Sequence, residues 1–145
     1  MKDTHTLGLE AAVVYGSLSI QGEQMFYAVK RDLGVSDYVF RGNHLYVSYF
    51  ITGESRRYND ATGVFRSVRI KNKTTGALEM ALRYSTINLN DRSQQGGSEA
   101  DITFGLNWYL TQNLRAMFNY IWVSSERQGV KDNPRIAQAR FQLDF

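Results

Sequence analysis

Apolar and polar residues alternate along most of the chain, most clearly in "DITFGLNWYL" at residues 101–110. A short break, "TQN", separates this run from a second alternating run, "LRAMFNYIW", at residues 114–122. Because neighbouring side chains of a strand point to opposite faces, a period of two predicts β-strands with one apolar face. Two such runs joined by a short turn predict an antiparallel hairpin. The predicted apolar face carries Ile102, Phe104, Leu106, Trp108, Leu110, Leu114, Ala116, Phe118, Tyr120 and Trp122.

Five further runs alternate in the same way, so we predict an all-β, antiparallel fold with about seven strands. They are "HTLGLEAAVVYG", "SLSIQGEQMFYAVK", "NHLYVSYFITG", "GALEMALRYSTINL" and the terminal "RIAQARFQLDF". The runs are about 10 to 14 residues long, whereas globular strands average roughly five or six and a membrane-spanning strand needs about 9 to 11. The pattern therefore favours a transmembrane β-barrel. Aromatic residues near the ends of the apolar faces would form its girdles. They are Tyr15, Tyr84, Trp108, Trp122 and Phe145.

The predicted connections alternate in length, as they do in outer-membrane barrels. Tight turns are predicted at residues 16–17 and 111–113, and long polar loops at "DLGVSDYVFR", "NDRSQQGGS" and "SERQGVKDNP". The stretch from Arg56 to Lys73 is the exception, because it is long where a short turn is due. No apolar run is long enough for a membrane helix, and no signal peptide opens the sequence. An export signal, if the protein uses one, is expected outside this sequence.

Composition narrows the range of chemistries. The chain has 145 residues, which is enough for one domain and its core. It contains no cysteine, which excludes disulfides and thiolate metal sites, and no paired histidines at ligand spacing, so we expect no metal or other cofactor. With only His5 and His44, nothing in the sequence assembles a nucleophile, base and orienting acid, so we do not expect an enzyme.

The formal charge of +3 comes from a single stretch of the chain. Between residues 56 and 73, six positive side chains accompany one negative side chain, whereas the remaining residues carry eleven positive and thirteen negative side chains. A nucleic-acid surface needs a continuous basic face, so we expect no nucleic-acid partner. The positive residues of this basic stretch are Arg56, Arg57, Arg66, Arg69, Lys71 and Lys73.

Several pieces of the sequence resemble the carboxy-terminal part of the phosphate-selective porin O and P family. The most specific are "SYFITGE", "ALRYS" and "GLNWYL" followed by "NLRAMFNY", and the resemblance covers roughly residues 41–145. It implies a trimeric, sixteen-stranded barrel in the outer membrane of a Gram-negative bacterium, which conducts anions and phosphate above all. The long basic stretch after "TGE" is also a feature of that family.

The chain departs from this family in length. Its members are much longer, and we predict fewer strands here than the family's barrel contains. Residues 1–145 are therefore expected to form a single barrel segment, the carboxy-terminal part of a porin. The family's constriction loop lies outside this sequence, so no residue of its central phosphate site can be assigned here.

The terminal strand has one apolar and one polar face, as lipid on one side and a watery lumen on the other require. Its apolar positions end in Phe141, Leu143 and Phe145. This ending resembles the signal by which the outer-membrane assembly machinery selects its substrates. We therefore expect contacts with that machinery and with outer-membrane lipid.

Three arginines, Arg83, Arg115 and Arg140, fall on the polar faces of predicted strands. Arginine keeps its charge and offers forked donors to phosphate oxygens, so these residues are candidates for the pore lining. Alternatively, they pair with carboxylates such as Glu79, Glu23 or Asp144 and brace the wall. The basic stretch similarly has three interpretations: a solvated connection, an electrostatic vestibule for anions, or a contact to lipid headgroups.

Two other folds remain open at this point. If "GVFRSVRIK" (residues 63–71) forms an eighth strand, the chain closes into a small membrane barrel without a conducting pore. A soluble, ligand-binding barrel also fits a period of two, but with the faces inverted, so that the apolar rows form the core.

Overall fold

The computed structural model describes residues 3–31, 36–59, 64–65 and 67–144. Seven long strands and three short ones account for most of them, which confirms the predicted all-β class. The strands are β1 Asp3–Tyr15, β2 Leu18–Lys30, β3 Tyr38–Phe50, β4 Tyr58–Asn59, β5 Val64–Phe65, β6 Ala77–Asp91, β7 Gln94–Tyr109, β8 Leu114–Arg127, β9 Val130–Asp132 and β10 Arg135–Leu143. No helix in the described part of the chain is long and apolar enough to cross a membrane.

The long strands form one antiparallel sheet in the order β1-β2-β3-β6-β7-β8-β10, and β9 pairs with β8. The register confirms the predicted hairpin, because Ile102 pairs with Trp122 and Leu106 pairs with Phe118. Strands β1 and β10 are the two ends of this order. The described residues therefore form an open sheet.

The two faces of the sheet differ in chemistry and in exposure. Most large apolar side chains on one face are exposed, from 36% at Phe104 to 58% at Leu7 and 64% at Val13. The opposite face carries the polar side chains, and several of these are buried. A soluble barrel would show the reverse arrangement, because its apolar face forms the core. The buried polar side chains of the sheet belong to Ser19, Ser48, Glu79 and Thr103.

The connections at one end of the sheet are shorter than predicted. Strands β6 and β7 extend until only Arg92 and Ser93 separate them, and β8 continues to Arg127 before β9 pairs back onto it. The prediction of long loops at "NDRSQQGGS" and "SERQGVKDNP" is therefore wrong. The hydrogen bonds between paired strands join backbone groups. Polar residues can therefore extend a hairpin even where the strands have no apolar face. In the third predicted loop, residues 38–41 already belong to β3, and residues 32–35 lie outside the described residues.

The eighth strand that the small-barrel alternative requires does not join the sheet within the described residues. Val64 and Phe65 pair instead with Tyr58 and Asn59 in a separate two-stranded sheet. Further along, Val68 is buried in a small apolar cluster. Gly63 and Arg66 lie outside the described residues. The described part of the chain thus does not form the small closed barrel.

At the opposite end, which we call the turn end, β3 and β6 are joined by residues 51–76, the connecting segment. The described parts of this segment cover the polar face, where Val68 and Ile70 pack with Phe50, Ala77 and Tyr109. The ring centroids of Phe50 and Tyr109 lie 5.8 Å apart. This cluster is the apolar core of the described structure, and it lies under the connecting segment rather than between two sheets.

Candidate functional site

The centre of the turn end is a fully buried carboxylate, Glu79 on β6. Arg56 of the connecting segment donates to it twice, from Nε to Oε1 at 2.8 Å and from Nη2 to Oε2 at 3.0 Å. Asn107 Nδ2 and the Tyr109 hydroxyl each donate to Oε2 at 3.0 Å. The sheet places these last two donors, because Asn107 pairs directly with Glu79 and Tyr109 is the next residue of β7 on the same face.

Arg56 contacts Tyr46 and Phe65 in addition to Glu79. Besides Glu79, its Nη2 lies 3.3 Å from the hydroxyl of Tyr46, and its guanidinium lies 5.6 Å from the Tyr46 ring and 5.7 Å from the Phe65 ring. Burial opposes ionisation, but the Glu79 carboxylate raises the pKa of Arg56 above its ordinary value. The positive charge is therefore compensated inside the protein.

The base of the connecting segment is held by a second buried carboxylate, Glu54. It accepts hydrogen bonds from the Thr52 hydroxyl and, at 3.1 Å, from the backbone N–H of Lys71, while Lys71 Nζ donates to the carbonyl of Gly53. Burial opposes ionisation here too, but these two hydrogen bonds hold the pKa of Glu54 below its usual range. The two ends of the segment are thereby tied together.

A third attachment of the segment comes from the apolar face. The indole N–H of Trp108, one of the predicted girdle residues, donates to the carbonyl of Thr75 at 2.9 Å. The next residue, Gly76, has φ +74°, and a Cβ there would lie 2.3 Å from the Tyr109 carbonyl oxygen. Only glycine fits such a close approach in this left-handed conformation.

The predicted pore-lining arginines have different surroundings. Arg83 Nη2 lies 3.4 Å from Asp101 Oδ1 and 3.5 Å from the Thr103 hydroxyl, so it is paired within the wall. Arg115 donates from Nε and Nη2 to the amide oxygen of Gln142, at 3.2 and 2.8 Å. Arg140 is exposed on β10. Among the described residues, no carboxylate lies within ion-pair distance of Arg115 or Arg140.

The carboxylates named as alternative partners are used differently. Glu79 pairs with Arg56, and Glu23 lies 3.7 Å from His44 Nδ1. Asp144 accepts from Gln142 Nε2 at 2.7 Å and so contacts Arg115 only through this amide. The structure thus brings none of them against Arg83, Arg115 or Arg140 within the described chain.

Three members of the basic stretch line two cavities beside the β7–β8 turn. One, of about 220 Å³, is lined by Arg56, Arg115 and Tyr109 among others. The other, of about 440 Å³, is lined by Arg57 and Arg69, which are both exposed. Lys71 lies at the base of the segment, and Arg66 falls outside the described residues.

The candidate assembly residues lie on the apolar face of β10. Phe141 and Leu143 are 78% and 61% exposed. Phe145 lies outside the described residues. The apolar row that the sequence predicted for this strand is therefore present as far as residue 143.

Sequence reasoning missed the two buried carboxylates as anchors of the connecting segment. Alternation assigns Glu79 to a polar face, but it does not reveal that a distant segment covers that face. The sequence distance between Arg56 and Glu79 is 23 residues, so no local pattern links them. Among the described residues, no group of three or more metal-ligating side chains is assembled.

Comparison with known proteins gives concordant matches. The profile of a family described as "Phosphate-selective porin O and P" matches residues 2–145. Porin O of Pseudomonas aeruginosa is 29% identical over 136 residues, which cover 87% of this chain and 31% of that protein. An uncharacterized protein of Caulobacter vibrioides is 32% identical over 148 residues, covering 95% of this chain and 29% of that protein. The chain spans about a third of the length of these relatives.

Proposed function

The chain belongs to the phosphate-selective porin O and P family, and we propose that it forms part of the wall of a passive, anion-selective channel in a Gram-negative outer membrane. The observation that carries this proposal is the exposure of the two sheet faces. Apolar rows stand exposed on one face, while the buried groups of the sheet lie on the polar face. A barrel in a membrane needs this arrangement, with lipid outside and a polar lumen inside.

We propose that the described sheet is one part of a larger barrel. Among the described residues, the outer edges of β1 and β10 have no strand partner, and in a membrane their backbone groups need one because lipid offers no hydrogen bonds. The matched relatives are about three times as long as this chain, which leaves room for further strands. The proposed assembly is the family's trimer of sixteen-stranded barrels, to which residues 1–145 contribute the carboxy-terminal strands. A channel of this kind needs no catalytic group and no cofactor.

Within this wall, Arg115 and Arg140 are our strongest candidates for contact with passing anions. Their guanidinium groups lie on the polar face without a carboxylate partner among the described residues, so their charge acts on the lumen. Arg83 contributes less, because Asp101 compensates its charge. Arg57 and Arg69, exposed at the turn end, extend the positive potential into a vestibule. Phosphate and other small anions are the proposed substrates.

The test is the reversal potential of the full-length porin in a planar bilayer under a salt gradient. Arg115→Glu combined with Arg140→Glu should lower the anion-to-cation permeability ratio several-fold, since two positive charges become negative in a narrow polar channel. The matched control is the single reversal Arg83→Glu, at a site that Asp101 compensates, which should change the ratio less than Arg115→Glu alone does. An unchanged reversal potential in the double variant would remove both residues from the conducting path.

We also propose that the end of β10 is read by the outer-membrane assembly machinery. Phe141 and Leu143 present an exposed apolar row that leads to Phe145. Deleting Phe145 should reduce the amount of folded, heat-modifiable porin in outer-membrane fractions. Normal assembly of the shortened chain would contradict this role.

A further inference from the structure

We propose that Glu79 is a positioning residue that holds the connecting segment inside the channel, and that Arg56 is its tether rather than an anion contact. The inference rests on the proposed function, because it assumes that the polar face lines a lumen. It assigns opposite roles to neighbouring arginines of the basic stretch. Arg56 fixes the segment to the sheet, whereas Arg57 and Arg69 are exposed on the segment, where they can act on anions.

Glu79 is fully buried. A carboxylate without solvent contact is tolerated only when a charge and several hydrogen bonds compensate it. Two of the four hydrogen bonds that Glu79 accepts come from β7, which belongs to the same sheet. The other two come from Arg56, which is also its only positive partner among the described residues. Withdrawal of the segment would leave the carboxylate without a counter-charge.

Arg56 already uses Nε and Nη2 for hydrogen bonds within the protein. Both nitrogens in contact with Glu79 form a forked pair, and one of them also reaches Tyr46. A planar guanidinium whose charge is compensated by a carboxylate, and which lies near two aromatic rings, attracts an anion less than an uncompensated arginine does. Arg69, in contrast, is exposed and has no carboxylate within ion-pair distance among the described residues.

The Arg56–Glu79 contact lies away from the two ends of the segment. Glu54 joins the two ends of the segment at its base, and Trp108 holds it at Thr75, next to the start of β6. Neither contact fixes how far the middle of the segment reaches over the polar face. The Arg56–Glu79 pair and the packing of Val68 do this. The pair therefore helps to set the free cross-section of the lumen at the turn end.

The first experiment measures the position of the segment and does not depend on conduction. Ser67 and Gln112 line the same two cavities, one from the segment and one from the β7–β8 turn. This chain has no cysteine, so cysteines placed at these two positions accept nitroxide labels selectively within it. Electron paramagnetic resonance of the folded, full-length porin should give a narrow distance distribution. Glu79→Gln and Arg56→Gln should each broaden it and shift it to longer distances.

The matched control is Arg69→Gln, which makes the same chemical change in the same segment but removes no pair. It should leave the distance distribution narrow. Arg56→Gln removes the same contact without changing a strand residue, so it still tests the proposal if Glu79→Gln does not fold. A narrow, unshifted distribution in both Glu79→Gln and Arg56→Gln would overturn the proposal. The apolar cluster around Val68 would then hold the segment alone.

The second experiment is single-channel conductance, which reports only on assembled channels and so is not changed by a lower yield of folded protein. Glu79→Gln should raise the conductance and its fluctuation, because the released segment opens the lumen. Arg69→Gln should instead lower anion preference without adding fluctuation. The double variant Arg56→Gln/Glu79→Gln should resemble either single variant, since both act through one contact. Fully additive effects would contradict a shared contact.

The two readouts separate failure of this inference from failure of the proposed function. If no variant conducts and the wild type is also silent, the channel proposal fails while the distances still decide the role of Glu79. If the wild type conducts but the distances do not respond, the channel proposal stands and the tether is wrong.

Discussion

Replacing Leu82 by arginine tests directly which medium meets the apolar face of the sheet. Leu82 lies near the middle of β6, where it pairs with Val47 and Phe104, and it is 52% exposed. If this face meets water, replacing a half-exposed leucine should change the free energy of unfolding by no more than about 0.5 kcal/mol. If it meets lipid, an arginine near the bilayer midplane lowers the free energy of unfolding by about 2–4 kcal/mol.

A matched control exists on the opposite face. Met25 on β2 is also a long apolar side chain, 42% exposed, and it lies between Gly8 and Gly42 of the neighbouring strands. This face is proposed to line the lumen, and the flanking glycines leave room for a longer side chain. Met25→Arg should therefore change the free energy of unfolding by no more than about 0.5 kcal/mol.

The assay is urea unfolding of the full-length porin in phosphocholine vesicles, followed by tryptophan fluorescence. Trp108 and Trp122 lie on the same face as Leu82, so their emission reports on insertion into lipid. We expect a large decrease in the free energy of unfolding for Leu82→Arg and a small change for Met25→Arg. Equal and small losses for both variants would show that the apolar face meets water, and the orientation of the proposed channel wall would be wrong.

Two further predictions concern the connecting segment. Gly76→Ala should lower the free energy of unfolding by more than about 1–2 kcal/mol in the same urea assay, because the left-handed backbone and the contact with Tyr109 O both oppose a Cβ. Gly16 also has a positive φ, but a Cβ there would meet nothing within 4 Å. Gly16→Ala should therefore lower the free energy of unfolding only through backbone strain, and equal decreases in the two variants would refute the steric argument. Because the folded-state pKa of Glu54 lies below 4.5, its stabilisation is complete above about pH 4.5 and is lost as the pH falls through the lower folded value. Urea unfolding at pH 7 and pH 3 should therefore show less acid sensitivity in Glu54→Gln than in the wild type, and equal sensitivity would exclude this carboxylate as a cause.

The alternating pattern made most of the sheet predictable. Side chains of a strand alternate between faces, so the apolar rows of "DITFGLNWYL" and "LRAMFNYIW" determine the faces, and the short turn between them sets the register in which they pair. The family resemblance was also readable from short pieces of sequence. Strand ends were not, because backbone pairing continues through polar residues such as Asn90 and Gln95 without an apolar signal.

By itself, the sequence determined that this protein is a sheet with one apolar and one polar face, since a period of two is a local property of the chain. Only the tertiary structure decided which positive charges are compensated. Arg56 and Arg69 look alike in the sequence, yet the first is tied to a buried carboxylate and the second is exposed. Their difference arises because the connecting segment returns over the polar face and brings Arg56 to Glu79. A contact between residues that lie far apart in the chain leaves no periodic trace from which it could be predicted.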